Sequence, residues 1–202
     1  MKKFLTFLLI LLSQSILSQK EYNNWYFGNG AGITFNSGSP VPLNGGQLNT
    51  IEACASISDS NGNLLFYMQG DKIYNRDHVL MMNGDNLLGS FSSTHTQIVP
   101  FPGNSSLYYA FTTDALENNL ANGLRYSLIN MDMDGGRGAV TSKNNLLLIK
   151  STEKVTVARH SNGHDYWVVG HSWEDNRFQS YLVNSSGLNI SPVISQIGIR
   201  RS

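Results

Sequence analysis

The chain has 202 residues, of which 14 are acidic and 14 basic, and only 14% are charged against 41% hydrophobic. A balanced charge gives no electrostatic footprint for nucleic acid and no attraction to an anionic membrane surface, so both partners are disfavoured. Nineteen glycines among many Asn and Ser residues favour short strands joined by tight turns over long helices with charged outer faces.

Lys2 and Lys3 precede an apolar run over residues 4–12, broken only by Thr6, and small polar residues follow to Ser18. Basic, apolar and small-residue segments in that order make a secretory signal peptide, expected over residues 1–18. The apolar run is about half the roughly 20 residues needed to cross a bilayer, so a membrane anchor is the poorer reading. Cleavage after Ser18 removes both lysines and leaves 12 basic against 14 acidic residues, with bulky Ile16 an imperfect fit before the cut. The expected location is export through the inner membrane to the periplasm, the medium or the cell surface.

Gly28-Asn29-Gly30-Ala31-Gly32 has the outline of a dinucleotide-binding loop, but Ile33-Thr34-Phe35 after it reads as a strand. That fingerprint requires a helix N-terminus at this point, so the glycines are read as a turn. Cys54 is the only cysteine, which excludes an intrachain disulfide. Its neighbours Ala53, Ala55 and Ser56 suit a buried small apolar residue better than a nucleophile.

Three segments align on an Asn in a turn, each followed five residues later by an aromatic. They are Asn61-Gly62-Asn63-Leu64-Leu65-Phe66-Tyr67, Asn104-Ser105-Ser106-Leu107-Tyr108-Tyr109 and Asn162-Gly163-His164-Asp165-Tyr166-Trp167. Strands are expected before these turns at residues 53–58, 97–101 and 155–160, and after them at 72–75, 124–131 and 177–184. Two units have a fourth candidate, at 146–149 and 192–197. Asn-Gly supplies the positive φ that a hairpin turn needs, and Gly135-Gly136 and Ser186-Gly187 mark further turns. No sustained helical period follows residue 18; residues 115–122 read as a long loop with room for one helical turn.

Four-stranded meanders repeated every 40 to 60 residues are the pattern of a β-propeller, because one meander leaves a face exposed that its neighbour covers. The expected fold is all-β, an incomplete β-propeller of about three to four four-stranded antiparallel blades over residues 19–202, with Phe66, Tyr109 and Trp167 layered between sheets. A β-sandwich is the alternative. An open array of blades leaves sheet edges free, and self-association through those edges is expected.

Several side chains invite chemistry. Asp132-Met133-Asp134-Gly135-Gly136 resembles the start of a calcium loop, but its twelfth position is Lys143 where an EF-hand has Glu. A turn is the simpler reading of Asp132 and Asp134, as it is of Asp59-Ser60-Asn61-Gly62-Asn63. His160, His164 and His171 cluster in sequence without a zinc-ligand interval. Arg159, His160 and Trp173 could line a groove, and Trp173 with Glu174 and Asp175 could form a sugar site. No Gly-x-Ser-x-Gly elbow supports acyl transfer. Three Asn-x-Ser triplets, at Asn104, Asn184 and Asn189, match the glycosylation pattern and are read as idle. No catalytic, cofactor-binding or metal-ligating set is therefore expected.

Asn24-Trp25-Tyr26-Phe27-Gly28-Asn29-Gly30-Ala31-Gly32-Ile33-Thr34-Phe35-Asn36 resembles the opening of large secreted proteins of gliding bacteria. Glu52-Ala53-Cys54-Ala55-Ser56-Ile57-Ser58-Asp59, Leu124-Arg125-Tyr126-Ser127, Thr152-Glu153-Lys154 and the stretch from Arg159-His160 to Trp167 continue the likeness. The resemblance implies an N-terminal propeller-like region, followed in that family by immunoglobulin-like repeats and a gliding-motility-associated sorting domain for type-nine secretion. Here the sequence stops at Ile199-Arg200-Arg201-Ser202, so a truncated member without that surface-sorting signal is expected. The functional expectation is a non-enzymatic binding or scaffold module of an exported envelope protein, contacting protein or glycan. The alternatives are a fragment of a propeller-type glycan-processing enzyme, or a remnant with no function of its own.

Overall fold

The computed structural model describes residues 20–199, so the expected signal peptide lies outside the described residues. The fold is all-β, built from four small antiparallel sheets of three to five strands, with single 3-10 turns as the helical elements among the described residues. No helix among those residues is long and apolar enough to cross a membrane.

The first sheet contains β1 (Asn24–Tyr26), β2 (Gly32–Thr34) and β3 (Val41–Leu43). The second contains β4 (Cys54–Ser58), β5 (Leu64–Gln69) and β6 (Ile73–Asn75). The third runs in order from β7 (Thr96–Pro100) through β8 (Leu107–Thr113) and β9 (Leu124–Asn130) to β10 (Ala139–Leu148). The fourth comprises β11 (Ser151–Arg159), β12 (Tyr166–Ser172) and β13 (Arg177–Asn184). Both β14 (Gly187–Leu188) and β15 (Val193–Gln196) pair with β13.

Each sheet is a meander that begins at one edge. The four first strands adjoin one another in succession, β1 beside β4, β4 beside β7 and β7 beside β11. Only the third sheet has a simple path of four strands. In the second, the fourth place is taken by the loop 76–95, which touches β6 through a bridge between Tyr74 and Leu80 and drops Met81 and Leu87 into the core.

Side-chain alternation gives every sheet two faces, here called trailing (toward the sheet before it in the chain) and leading (toward the sheet after it). Phe66, Met68 and Ile57 of the second sheet pack against Ile98, Tyr108, Ala110 and Ile129 of the third, with Phe66 edge-on to Tyr108 at 5.5 Å. Tyr109 and Phe111, on the opposite face of β8, pack against Val155, Val168, Tyr181 and Val183 of the fourth. Tyr26 and Tyr67 stack at 4.5 Å between the first and second sheets. Phe66 and Tyr109 thus hold matching leading-face places on the second strands of successive sheets. Trp167 holds the same place on β12 and is half-buried, because its neighbours Tyr166 and Val168 take the face that meets the third sheet.

Turn chemistry accounts for the Asn content. The side-chain oxygens of Asp59, Asn75, Asn104, Asn130, Asn162, Asp175, Asn184 and Asn189 each accept a hydrogen bond from the backbone N–H two residues on. The three Asn-x-Ser triplets are all turns of this kind, a local pairing that Asx residues favour. In the hairpin between β4 and β5, Gly62 sits at φ 88°, a left-handed backbone that glycine adopts without steric cost.

Candidate functional site

The adjoining first strands border a cleft of about 770 Å³. Ser58 of β4, residues 97–100 of β7, and Val157 and Arg159 of β11 form its walls. Leu65, Tyr108 and Tyr166 enter from the second strands of the same three sheets, Asp59 and Ser105 come from the hairpin turns, and Glu21 and Tyr22 reach in from the 3-10 turn Lys20–Tyr22. One end of three successive sheets therefore carries one guanidinium, two carboxylates and three tyrosines around a common space.

The electrostatics of the cleft follow from this crowding. Burial pushes the Tyr108 hydroxyl up to about 12, and the negative charges of Asp59 and Glu21 add to the shift. Tyr22 is raised by burial and by Tyr166 and Glu21, while Arg159 opposes the shift. Burial raises Asp59, but hydrogen bonds from Asn63, Asn61 and Gly62 together outweigh it and hold the carboxyl below its ordinary value. Asp59 thus stays ionised, and its oxygens are taken up by the turn at 2.9 Å from the amide nitrogens of Asn61 and Asn63 and from Asn63 Nδ2. Glu21 Oε2 is shielded from solvent and has no hydrogen-bond partner among the described residues.

The groove expected from Arg159, His160 and Trp173 does not form. Arg159 pairs with Tyr166 at one end of the fourth sheet, whereas Ser151 pairs with Ser172 at the other, next to Trp173. Eight residues of strand separate the two ends by roughly 26 Å. Trp173 and Asp175 instead border a second hollow of about 620 Å³ with Thr152, Glu153, Lys154, His171, Phe178, Ile197 and Ile199. There Asp175 is bound by Arg177 Nε at 2.6 Å, and Glu174 pairs with Lys150 at 2.9 Å, so both acids of the expected sugar site already hold cations.

The other candidates resolve one by one. His160 lies 5.8 Å from the Trp167 ring, His164 is exposed in the hairpin turn and His171 packs edge-on against Phe178 at 4.4 Å, so the three point to different surroundings. Asp134 pairs with Arg137 at 2.7 Å and Asp132 accepts from Ser106 Oγ at 2.7 Å, which ties both into the turn after β9. No group of three or more His, Cys, Asp or Glu among the described residues is placed to hold a metal ion. Cys54 is half-buried against the cluster containing Tyr26 and Tyr67, and burial pushes its thiol up, away from thiolate. Gly28-Asn29-Gly30 is a 3-10 turn that enters β2, and a Cβ at Gly28 would collide with the Thr50 carbonyl oxygen. Close backbone approach therefore explains that glycine.

Sequence reasoning missed Glu21 and Tyr22, which lie just past the expected cleavage point and carry no motif. It also missed Tyr108 and Tyr166 as site residues, since each sits beside the aromatic that marks the repeat. Alternation along a strand could have found them, because the neighbour of a leading-face residue must lie on the trailing face. No family model, no curated protein and no solved structure matches this chain.

Proposed function

We propose that the chain is a non-enzymatic binding module of an exported envelope protein, an arc of propeller blades that takes a glycan or an extended protein segment into its axial cleft. The propeller reading is supported by the order of the strands. In each sheet the first strand is an edge strand and adjoins the first strand of the next sheet, whereas a sandwich would pack two large sheets face to face. Export rests on the Lys2-Lys3 and apolar pattern at the N-terminus.

One observation carries the binding reading: a cleft shared by three sheets that presents Tyr22 and Tyr166 with Arg159 above a buried Tyr108. Tyrosine rings give flat, amphipathic contact area, and an exposed guanidinium offers forked donors to hydroxyl or carboxylate oxygens. The test is a glycan array and a peptide array, followed by calorimetric titration of the best ligand. Arg159→Ala and Tyr166→Ala should each weaken binding about tenfold, or ~1.4 kcal/mol. Unchanged affinity in both variants would remove the cleft from the binding reading.

A second reading, glycan hydrolysis, is favoured by Glu21 and Asp59 lining the same cleft. The commitment of Asp59 to its own turn argues against it. Release of reducing sugar from an arrayed glycan, abolished by Glu21→Gln, would establish the enzyme in place of the binding module.

A further inference from the structure

The three junctions within the chain obey one rule, and the rule leaves two faces over. At each junction the leading face of one sheet is covered by the trailing face of the next. Among the described residues, the leading face of the fourth sheet has no such cover. It carries Trp167, Val169 and His171 from β12, paired across the strand with Leu182, Ser180 and Phe178 of β13, and Val193 of β15 beside Ser180. Phe178 is 38% and Val193 56% exposed. At the other end of the chain, the trailing face of the first sheet carries Trp25, paired with Ile33 and through it with Pro42. Phe27 and Phe35 pack edge-on against Trp25 at 6.3 and 5.3 Å, and Trp25 remains 46% exposed.

We infer that these faces join between two copies of the chain, the leading face of the fourth sheet of each copy resting on the trailing face of the first sheet of the other. The occupant is specified by continuity with the junctions already made. Trp167 stands where Phe66 and Tyr109 stand, and those two are 0% and 6% exposed under their neighbouring sheets. Placing β1 of one copy beside β11 of the other repeats the first-strand contacts that β1, β4, β7 and β11 already make. Each copy carries one face of each kind, so two copies satisfy both faces with two equivalent junctions. A head-to-tail contact that closes gives a ring, and one that does not gives a filament. The pairing goes beyond the binding reading and does not depend on it.

The chain, produced from its whole sequence in an exporting host, is measured by light scattering on a sizing column. The expected mass is twice that of one chain. Trp167→Glu on one face and Trp25→Glu on the other should each halve the mass, with far-UV circular dichroism confirming that both variants fold. Val193→Lys serves as a second leading-face variant at a more exposed position. Mixing the Trp167→Glu and Trp25→Glu variants leaves one intact face pair and should restore a two-chain species. A wild-type monomer at all concentrations overturns the inference. So does a ladder of open multimers, or a Trp25→Glu variant that still dimerises, since the contact would then join like faces.

Discussion

Phe66→Ala probes the junction between the second and third sheets most directly. Phe66 is fully buried, flanked in its own sheet by Ile57 and Asn75 and met across the junction by the edge of Tyr108. Removing a buried Phe side chain costs about 3–5 kcal/mol, and the upper half of that range applies where neighbours cannot collapse into the space. Here both walls are hydrogen-bonded sheets, so about 4 kcal/mol is expected, of which about 0.5–1.5 kcal/mol is the aromatic pair itself. With a urea slope of roughly 2 kcal/mol per molar, the unfolding midpoint should fall by about 2 M. The chain's three tryptophans, Trp25, Trp167 and Trp173, sit in the first and fourth sheets and just beyond β12, away from the mutated junction. Their fluorescence therefore reports whether the stack unfolds as one unit. Fluorescence and far-UV circular dichroism should shift together, and a double-mutant cycle with Tyr108→Leu should return a coupling of about 0.5–1.5 kcal/mol. A midpoint shift under about 0.5 M, or fluorescence that ignores the mutation, would refute the picture of mutually shielding sheets.

Asn24→Ala removes the buried amide that donates to Ser58 Oγ at 2.8 Å and to the Gly62 carbonyl at 2.7 Å, and it should cost about 1–3 kcal/mol in urea unfolding. Gly28→Ala drives a methyl group into the Thr50 carbonyl and should cost a similar amount, about 1–3 kcal/mol, read as a lowered thermal midpoint. Asp114, 1% exposed, accepts from the Ala115 and Asn122 backbone nitrogens and from Asn118 Nδ2. Asp114→Ala should loosen residues 114–123 and show as lost amide protection confined to that loop and its neighbour β9. Tyr67, Tyr108 and Tyr181 are each pushed up to about 12, chiefly by burial. The folded state then holds protons that the unfolded chain gives up near 10, so stability is full below about pH 10 and falls as pH rises toward 12. Tyrosinate absorbance from Tyr67, Tyr108 and Tyr181 should appear together with unfolding, and their titration near pH 10 in a folded chain would contradict the burial.

Local signals reveal the strands that sit beside strong turns. The stretch 177–184 is legible to the residue because Phe178, Tyr181, Leu182 and Val183 make a strand-favouring apolar run between an Asp-Asn turn and a Ser-Gly turn. The first strand of the fourth sheet starts earlier than its apolar pattern, at Ser151, because Thr152, Glu153 and Lys154 extend the ladder with polar residues. The first sheet was missed as a unit. Each of its strands has three residues, too few for alternation to show, and its core contribution rests on Tyr26, Leu43 and the loop residue Leu48. The helical turn allowed at residues 115–122 is a 3-10 turn over Leu116–Asn118, held by Glu153 Oε1 on the Leu116 nitrogen at 2.7 Å. That partner lies in a different sheet, and so no local pattern announces it.

The candidate site fails to show in the sequence for a related reason. Its residues are not a motif but the same end of three hairpins, brought together because the first strands of successive sheets adjoin one another. Arg159 and Trp173 look adjacent in a list of polar and aromatic side chains, yet one strand and one turn carry them to opposite ends of the sheet. By contrast, Ser58, Val99 and Val157 are far apart in sequence and meet because each occupies the first strand of its unit. In a stacked repeat, then, position within the unit predicts spatial neighbours better than distance along the chain. A substitution at the turn end of one first strand should perturb ligand contacts made by the next sheet, whereas one at the opposite end should not. Comparing Pro100→Ala with Thr152→Ala for loss of glycan or peptide binding tests this, since Pro100 ends β7 at the turn and lines the cleft, whereas Thr152 lines only the distant hollow. Equal losses would mean that ligand is not held in the cleft between the first strands.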